Sequence, residues 1–292
     1  MPMKTKFFLL SLLVLGLPVA SQAVTTINAV NKYAYGANIG WMDFRGDTNN
    51  GAVLGEFVCS GNVYAANVGW ISLGSGAPAN GIQYLNNAAN DYGVNNDGLG
   101  NLRGYAYGAN IGWINFENIG APKIDLKTGK MSGSVYGANV GWISLSNAVA
   151  FVQTDSIQGG TDSDHNGLPD AWEYLHFGHI GVNPNADPDG DGVSNLQEYL
   201  ADTDPNSASD RLKITSVASA PGNPNVTLTW TTHATRCYFL QKRADLNIGS
   251  IWLDSGLAAI TPDAGTTTTR TISDGGFPMR FYRVDAFRPL GP

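Results

Sequence analysis

Four stretches of the chain alternate apolar or small with polar residues at period two, on both sides of one short connector. They are centred on Tyr35-Gly-Ala-Asn-Ile-Gly-Trp41, Tyr64-Ala-Ala-Asn-Val-Gly-Trp70, Tyr107-Gly-Ala-Asn-Ile-Gly-Trp113 and Tyr136-Gly-Ala-Asn-Val-Gly-Trp142. An apolar-polar-apolar stretch follows each tryptophan, as in Ile114-Asn115-Phe116, and an alternation such as Leu102, Gly104, Ala106 precedes the motif. This pattern predicts four hairpins with tight Ala-Asn-x-Gly turns. Asparagine and glycine are both expected there because they tolerate positive φ. The tryptophans lie 29, 43 and 29 residues apart, so a duplicated pair with pseudo-twofold symmetry is expected. A lone hairpin is marginal in water, so the four must bury one face together. The expectation is eight or more strands in a compact antiparallel barrel or sandwich, with a solenoid as the alternative. The recurring tyrosines and tryptophans are expected to fill the shared core. Their other reading is an exposed platform for sugar rings.

Alternation returns near the C-terminus in Leu212–Val217, Val226–Trp230, Cys237–Arg243 and Phe281–Val284. It predicts a small β-sandwich with Trp230 buried. Between the two β regions, short helices are expected at Asp170–His176 and Asn195–Leu200, with Trp172, Leu175, Leu196 and Tyr199 turned inward. The fold class is therefore mainly β. A four-hairpin repeat domain spans residues 24–152, a loop segment with small helices 153–211, and a β-sandwich 212–292.

Residues 1–23 read as an address. Lys4 and Lys6 precede the apolar run Phe7–Leu17 and the small residues of Ser21-Gln22-Ala23, the pattern of a cleaved signal peptide. The run is well short of the ~20 residues a bilayer span needs, and no second apolar stretch of that length follows. A secreted, extracellular product without a membrane span is expected, with retention at the cell surface left open. In that oxidising setting Cys59 and Cys237 lie in different predicted domains, and two buried thiols are expected rather than a bridge.

Composition narrows the partners. The 292 residues carry a net charge of -7 with only 14% charged side chains, which argues against a nucleic-acid scaffold. Half of the 24 acids fall in residues 155–210, which contain no lysine or arginine. These acids are regularly spaced. Asp162, Asp164, Asn166, Gly167, Asp170 and Glu173 occupy positions 1, 3, 5, 6, 9 and 12 of a calcium loop, and Asp187, Asp189, Asp191, Gly192, Asn195 and Glu198 do so again 25 residues later. Ca²⁺ takes about six to eight oxygens. Side chains at 1, 3 and 5 converge on the ion, glycine at 6 allows the bend, and position 7 (Leu168 or Val193) offers its carbonyl. Glutamate at 12 closes the shell from an exiting helix. Mg²⁺ fits less well because it wants fewer protein oxygens in a stricter octahedron. Asp202-x-Asp204-x-Asn206 lacks the glycine and is at most a source of spare oxygens.

With an apolar residue directly after each glycine, Gly167-Leu168 and Gly192-Val193, the loops resemble thrombospondin type 3 repeats. That resemblance covers about fifty residues and implies calcium binding without naming a partner. The cysteines of the animal repeats are absent. Val226-Thr-Leu-Thr-Trp230 and the Phe281–Ala286 run resemble strands of fibronectin type III modules, which implies a spacer or adhesion role. The chain ends soon after that run, which leaves little room for the family's last strand. The hairpin motif resembles repeats of uncharacterised secreted bacterial proteins and brings no activity with it.

Neither a nucleophile elbow, a phosphate-cradling glycine loop nor a zinc motif occurs, so no enzyme is expected. The leading expectation is a secreted calcium-binding structural or adhesive protein in which Ca²⁺ stiffens the joint between two β-domains. The alternative is a carbohydrate-binding protein that uses the repeat domain. The partner, a surface protein or a glycan, is unspecified.

Overall fold

The computed structural model describes residues 25–291 apart from 47–48, 220–223, 246, 248 and 274–279. The leader expected over residues 1–23 lies outside the described residues.

The N-terminal strands are β1 (Ile27–Gly36), β2 (Gly40–Asp43), β3 (Ser60–Ala65), β4 (Gly69–Ser75), β5 (Val94–Asn96), β6 (Leu102–Gly108), β7 (Gly112–Asn115), β8 (Lys123–Ile124), β9 (Met131–Ser132), β10 (Ser134–Gly137), β11 (Gly141–Ser144) and β12 (Val152–Thr154). The four motifs form the hairpins β1–β2, β3–β4, β6–β7 and β10–β11. Neighbouring hairpins pair in turn, and β11 pairs back onto β1, closing an eight-stranded antiparallel barrel. At every junction the motif tyrosine faces the residue two places beyond the preceding tryptophan, as in Tyr64 with Asp43 and Tyr35 with Ser144.

The turns show why the motif repeats. Ile39 N–H donates to Gly36 O at 3.2 Å and Gly40 follows at φ 79°, a three-residue hairpin loop closed by a left-handed glycine. The asparagine has a different role from the one expected, since positive φ falls on the glycines alone. Asn67 Nδ2 donates to Ile39 O at 3.1 Å, Asn110 to Val68 O at 3.0 Å, Asn139 to Ile111 O at 3.1 Å and Asn38 to Val140 O at 3.1 Å. Each turn is thus bonded to the previous one, and the fourth closes on the first. The barrel is pseudo-fourfold rather than pseudo-twofold. The longer 43-residue spacing arises from extra residues between β4 and β6 that lie outside the barrel wall.

The repeated aromatics are not core. Trp41, Trp70, Trp113 and Trp142 are 44–49% exposed, and Tyr35, Tyr64, Tyr107 and Tyr136 are 37–40% exposed. Strand parity is the reason. Met42, Ile71, Ile114 and Ile143 follow the tryptophans and are buried, so the tryptophans must face out. The interior of an eight-stranded barrel has room only for modest side chains. It is filled by those residues with Ala34, Val63, Ala65, Ala106 and Val135.

Next come α1 (Asp170–Phe177) and α2 (Asn195–Ala201), then β13 (Ile214–Ser219), β14 (Asn225–Thr231), β15 (Cys237–Arg243), β16 (Leu253–Asp254), β17 (Thr267–Ser273) and β18 (Phe281–Phe287). The last six form two three-stranded sheets, β13-β14-β17 and β16-β15-β18, around Leu228, Trp230, Tyr238, Leu240, Ile260 and Ile272. Trp172 and Tyr199 pack with Leu168 and Val182, while Leu196 sits at the edge of that cluster. Leu175 instead is 55% exposed. At roughly 100° per residue, the inward arc of α1 runs through Trp172, Glu173 and His176 and leaves Leu175 outside.

Cys59 and Cys237 are free and buried. No helix among the described residues is long and apolar enough to cross a membrane.

Candidate metal centre

The two acidic loops share the same backbone turn and the hydrogen bonds that close it. Asp162 accepts from Asn166 N–H at 3.1 Å and Gly167 N–H at 2.9 Å, and Asp187 accepts from Asp191 N–H at 3.2 Å and Gly192 N–H at 2.9 Å. The side-chain oxygen at position 5 then accepts from the N–H at position 7, Asn166 from Leu168 at 2.7 Å and Asp191 from Val193 at 2.8 Å. Positions 4 and 6 are left-handed in both, at His165 (φ 59°) and Gly167 (φ 92°), then at Gly190 (φ 77°) and Gly192 (φ 90°). Position 6 therefore needs glycine for its bend. Each loop runs directly into a helix that carries the glutamate, Glu173 on α1 and Glu198 on α2, both fully buried.

In the second loop, oxygens of Asp187, Asp189 and Asp191 lie within 4.8 Å of one another. Four buried oxygens here have no hydrogen-bond partner: Asp189 Oδ2, Asp191 Oδ2, Asn195 Oδ1 and Glu198 Oε2. Leaving one such atom unsatisfied costs about 1–3 kcal/mol, so four in one loop need a common explanation. Burial, then the charges of Asp189 and Asp191, push the Glu198 carboxyl up to about 7. Burial also raises Asp189, whereas Asp187 is lowered chiefly by the Gly192 N–H. The donor set is all oxygen, crowded with carboxylates and short of hydrogen-bond donors, which suits a hard divalent cation.

The first loop is more self-satisfied. Asn166 Nδ2 donates to Asp164 at 3.0 Å, to Glu173 Oε1 at 3.1 Å and to Val182 O at 3.0 Å, and Val182 N–H donates to Glu173 Oε1 at 2.7 Å. Glu173 Oε2 is the buried oxygen left without a partner. Asp170 is turned to Ser163, accepting from its N–H at 2.8 Å and its hydroxyl at 2.6 Å. The third acidic pattern is engaged elsewhere. Asp202 accepts from the Thr235 hydroxyl and lies 3.5 Å from Arg236, and Asp204 lies 3.5 Å from His176.

Sequence reasoning missed the polar junction behind α2. Arg236 of the C-terminal sheets, almost fully buried, meets Glu56 of the barrel region at 2.9 Å. It also donates to the α2 carbonyls of Tyr199 at 2.9 Å and Leu200 at 3.1 Å. The Tyr199 hydroxyl donates to Glu56 at 3.0 Å, and Arg288 lies 3.5 Å from the same carboxylate. Arg211 donates to Asp191 O at 2.7 Å, so the sandwich side also touches the second loop. No local motif announces these residues. Residues 212–292 carry eight lysines and arginines against five acids, and this basic balance beside the acidic segment is the one signal the sequence offers.

In comparisons with known proteins, the chain matches no family model, and no curated protein or solved structure shows detectable similarity to it. The resemblances to thrombospondin type 3 repeats and fibronectin type III strands rest on the residues quoted above.

Proposed function

We propose that this is an exported calcium-binding structural or adhesive protein whose second acidic loop, once loaded, rigidifies the joint between the barrel and the C-terminal sandwich. The observation that carries the reading is the set of four buried oxygens without a hydrogen-bond partner among the described residues, on Asp189, Asp191, Asn195 and Glu198, the last of them next in the chain to Tyr199 at the junction. Asp187, Asp189, Asp191, the Val193 carbonyl, Asn195 and Glu198 would hold the ion. Asp162, Asp164, Asn166, the Leu168 carbonyl, Asp170 and Glu173 would hold a second. Bound Ca²⁺ would supply the positive charge that lets these carboxylates lie together ionised. Export is supported by the leader-like residues 1–23.

The chain's own residues then transmit order. Glu198 faces the loop while Tyr199, next on the helix, gives its hydroxyl to Glu56 and its carbonyl to Arg236. Fixing the start of α2 fixes the groups at its end. Calorimetric titration of calcium into the metal-stripped chain tests the reading. Two sites, one lost in Glu198→Gln and the other in Glu173→Gln, are expected. Absence of binding at millimolar calcium, the order at which the weakest extracellular sites operate, would sink it.

A further inference from the structure

The four motif tryptophans are equivalent in the barrel but not in their surroundings. Trp70 and Trp142 each pair with one tyrosine, at 4.9 and 5.1 Å between ring centroids. Trp113 is surrounded by three: Tyr107 at 4.8 Å, Tyr92 at 5.0 Å and Tyr105 at 6.3 Å. Tyr92 comes from the extra residues between β4 and β6. These stand beside Trp113 and flank an open, shallow cleft of about 450 Å³ lined by Asn86, Asn87, two alanines and Tyr92, Tyr105 and Trp113.

The wall is fixed before any ligand arrives. Asp91, buried at its base, accepts from Ala79 N–H at 3.1 Å and Leu85 N–H at 3.2 Å. Asn86 accepts from Gly93 N–H at 3.0 Å, and Asn95 bonds Tyr84 through both N–H and carbonyl at 2.9 Å. A cleft of this size, apolar on its faces with a few amides at its rim, lies in the range of about 300–1,000 Å³ typical of small-ligand sites.

We propose that this cleft binds a neutral carbohydrate. Its lining contains no carboxylate, ammonium, guanidinium or imidazole, so an ionic ligand would find no partner there. A pyranose ring offers an apolar C–H face to an aromatic ring and hydroxyls to amides and phenols at its edge. Trp113 and Tyr92 stand at 83° to each other, giving a floor and a side wall for such a ring. A peptide adding as a strand would need a free sheet edge; the eight barrel strands are closed, and β5 beside the cleft is paired with β6 on one side and bonded to Phe57 and Cys59 on the other. The proposal is independent of the cation loops.

The test is calorimetry on the full chain with neutral hexaoses of glucose (β-1,4, β-1,3 and α-1,4), xylose, mannose and N-acetylglucosamine. A sulfated oligosaccharide and a proline-rich decapeptide serve as comparators, and all are run in calcium and in EDTA. At least one neutral hexaose should bind in both buffers. Trp113→Ala should weaken it by about tenfold or more, as truncating an aromatic anchor does. Trp142→Ala should leave it within about threefold. Because Trp113 is half exposed, its removal leaves the barrel core intact. Asn87→Asp, which adds a charge at the rim and removes no packing, should also weaken binding. Silence from every neutral hexaose, equal losses in the two tryptophan variants, or binding of only the sulfated sugar or the peptide would overturn the proposal.

Discussion

Arg236 and Glu56 meet at 2.9 Å beside the C-terminal end of α2, joining the sandwich to the barrel through the helix that carries Glu198. Both partners are shielded, with side-chain exposures of 3% and 11%. Arg236→Ala would leave Glu56 with less compensation and remove a cation from the end of α2. Removing one partner of a buried pair costs about 3–5 kcal/mol. Urea denaturation of the full chain should show a loss of that order. A loss below about 1 kcal/mol, the range of an exposed pair, would mean that the junction is not a stabilising element.

Glu198 gives the protein a pH response. Its carboxyl is raised to about 7 in the metal-free fold, against an unfolded value of 4.5. Between these values the folded state holds the proton and the unfolded state has released it. This group's contribution to metal-free stability is therefore full below 4.5 and lost as pH rises through 7. Calcium binding should behave in the opposite way, strengthening from pH 6 to 8 and releasing close to one proton at pH 6. Calorimetry in buffers of different ionisation enthalpy measures that proton. A pH-independent affinity in wild type would contradict the assignment.

The ring of turns predicts a repeated, graded cost. Asn67→Ala or Asn139→Ala removes one amide-to-carbonyl bond and should cost about 1 kcal/mol. Gly141→Ala forces a side chain into φ 77°, which costs about 1–2 kcal/mol. Thermal melts of the single variants check both. An unchanged midpoint in Asn139→Ala would show that the ring is incidental.

Much of this architecture was legible because its signals are local and repeated. Period-two alternation around four copies of one turn pointed to an antiparallel barrel or sandwich, and the closure of β11 onto β1 decides for the barrel. The one-three-five-twelve spacing located two loops that share the bonds from position 1 to the N–H groups of positions 5 and 6 and from position 5 to the N–H of position 7. Helix starts followed from the same spacing, since position 9 begins each helix. The facing of Trp113 was misread because its size suggested burial, although its neighbour Ile114 occupies the inward position. Asn110 was assigned to backbone conformation when its side chain bridges two turns 42 residues apart. Glu56, Tyr199, Arg236 and Arg288 form a cluster that only the packing of three segments creates, so no spacing rule could find it.

Thiol chemistry offers a simple check on the packing. Burial holds Cys59 fully covered and pushes its thiol up to about 12. Native protein should therefore leave Cys59 unreacted with an aromatic disulfide reagent at pH 8, and unfolded protein should release both thiols. Prompt reaction of Cys59 in the native chain would place it outside the barrel core.

If Glu198 holds a cation as proposed, its binding orders the junction that Tyr199 and Arg236 share. Amide hydrogen exchange of the full chain, in EDTA and in saturating calcium, measures this directly. Calcium should protect α2 and, with it, the segments around Glu56 and Arg236. Protection confined to residues 187–198, with the junction unchanged, would contradict the claim.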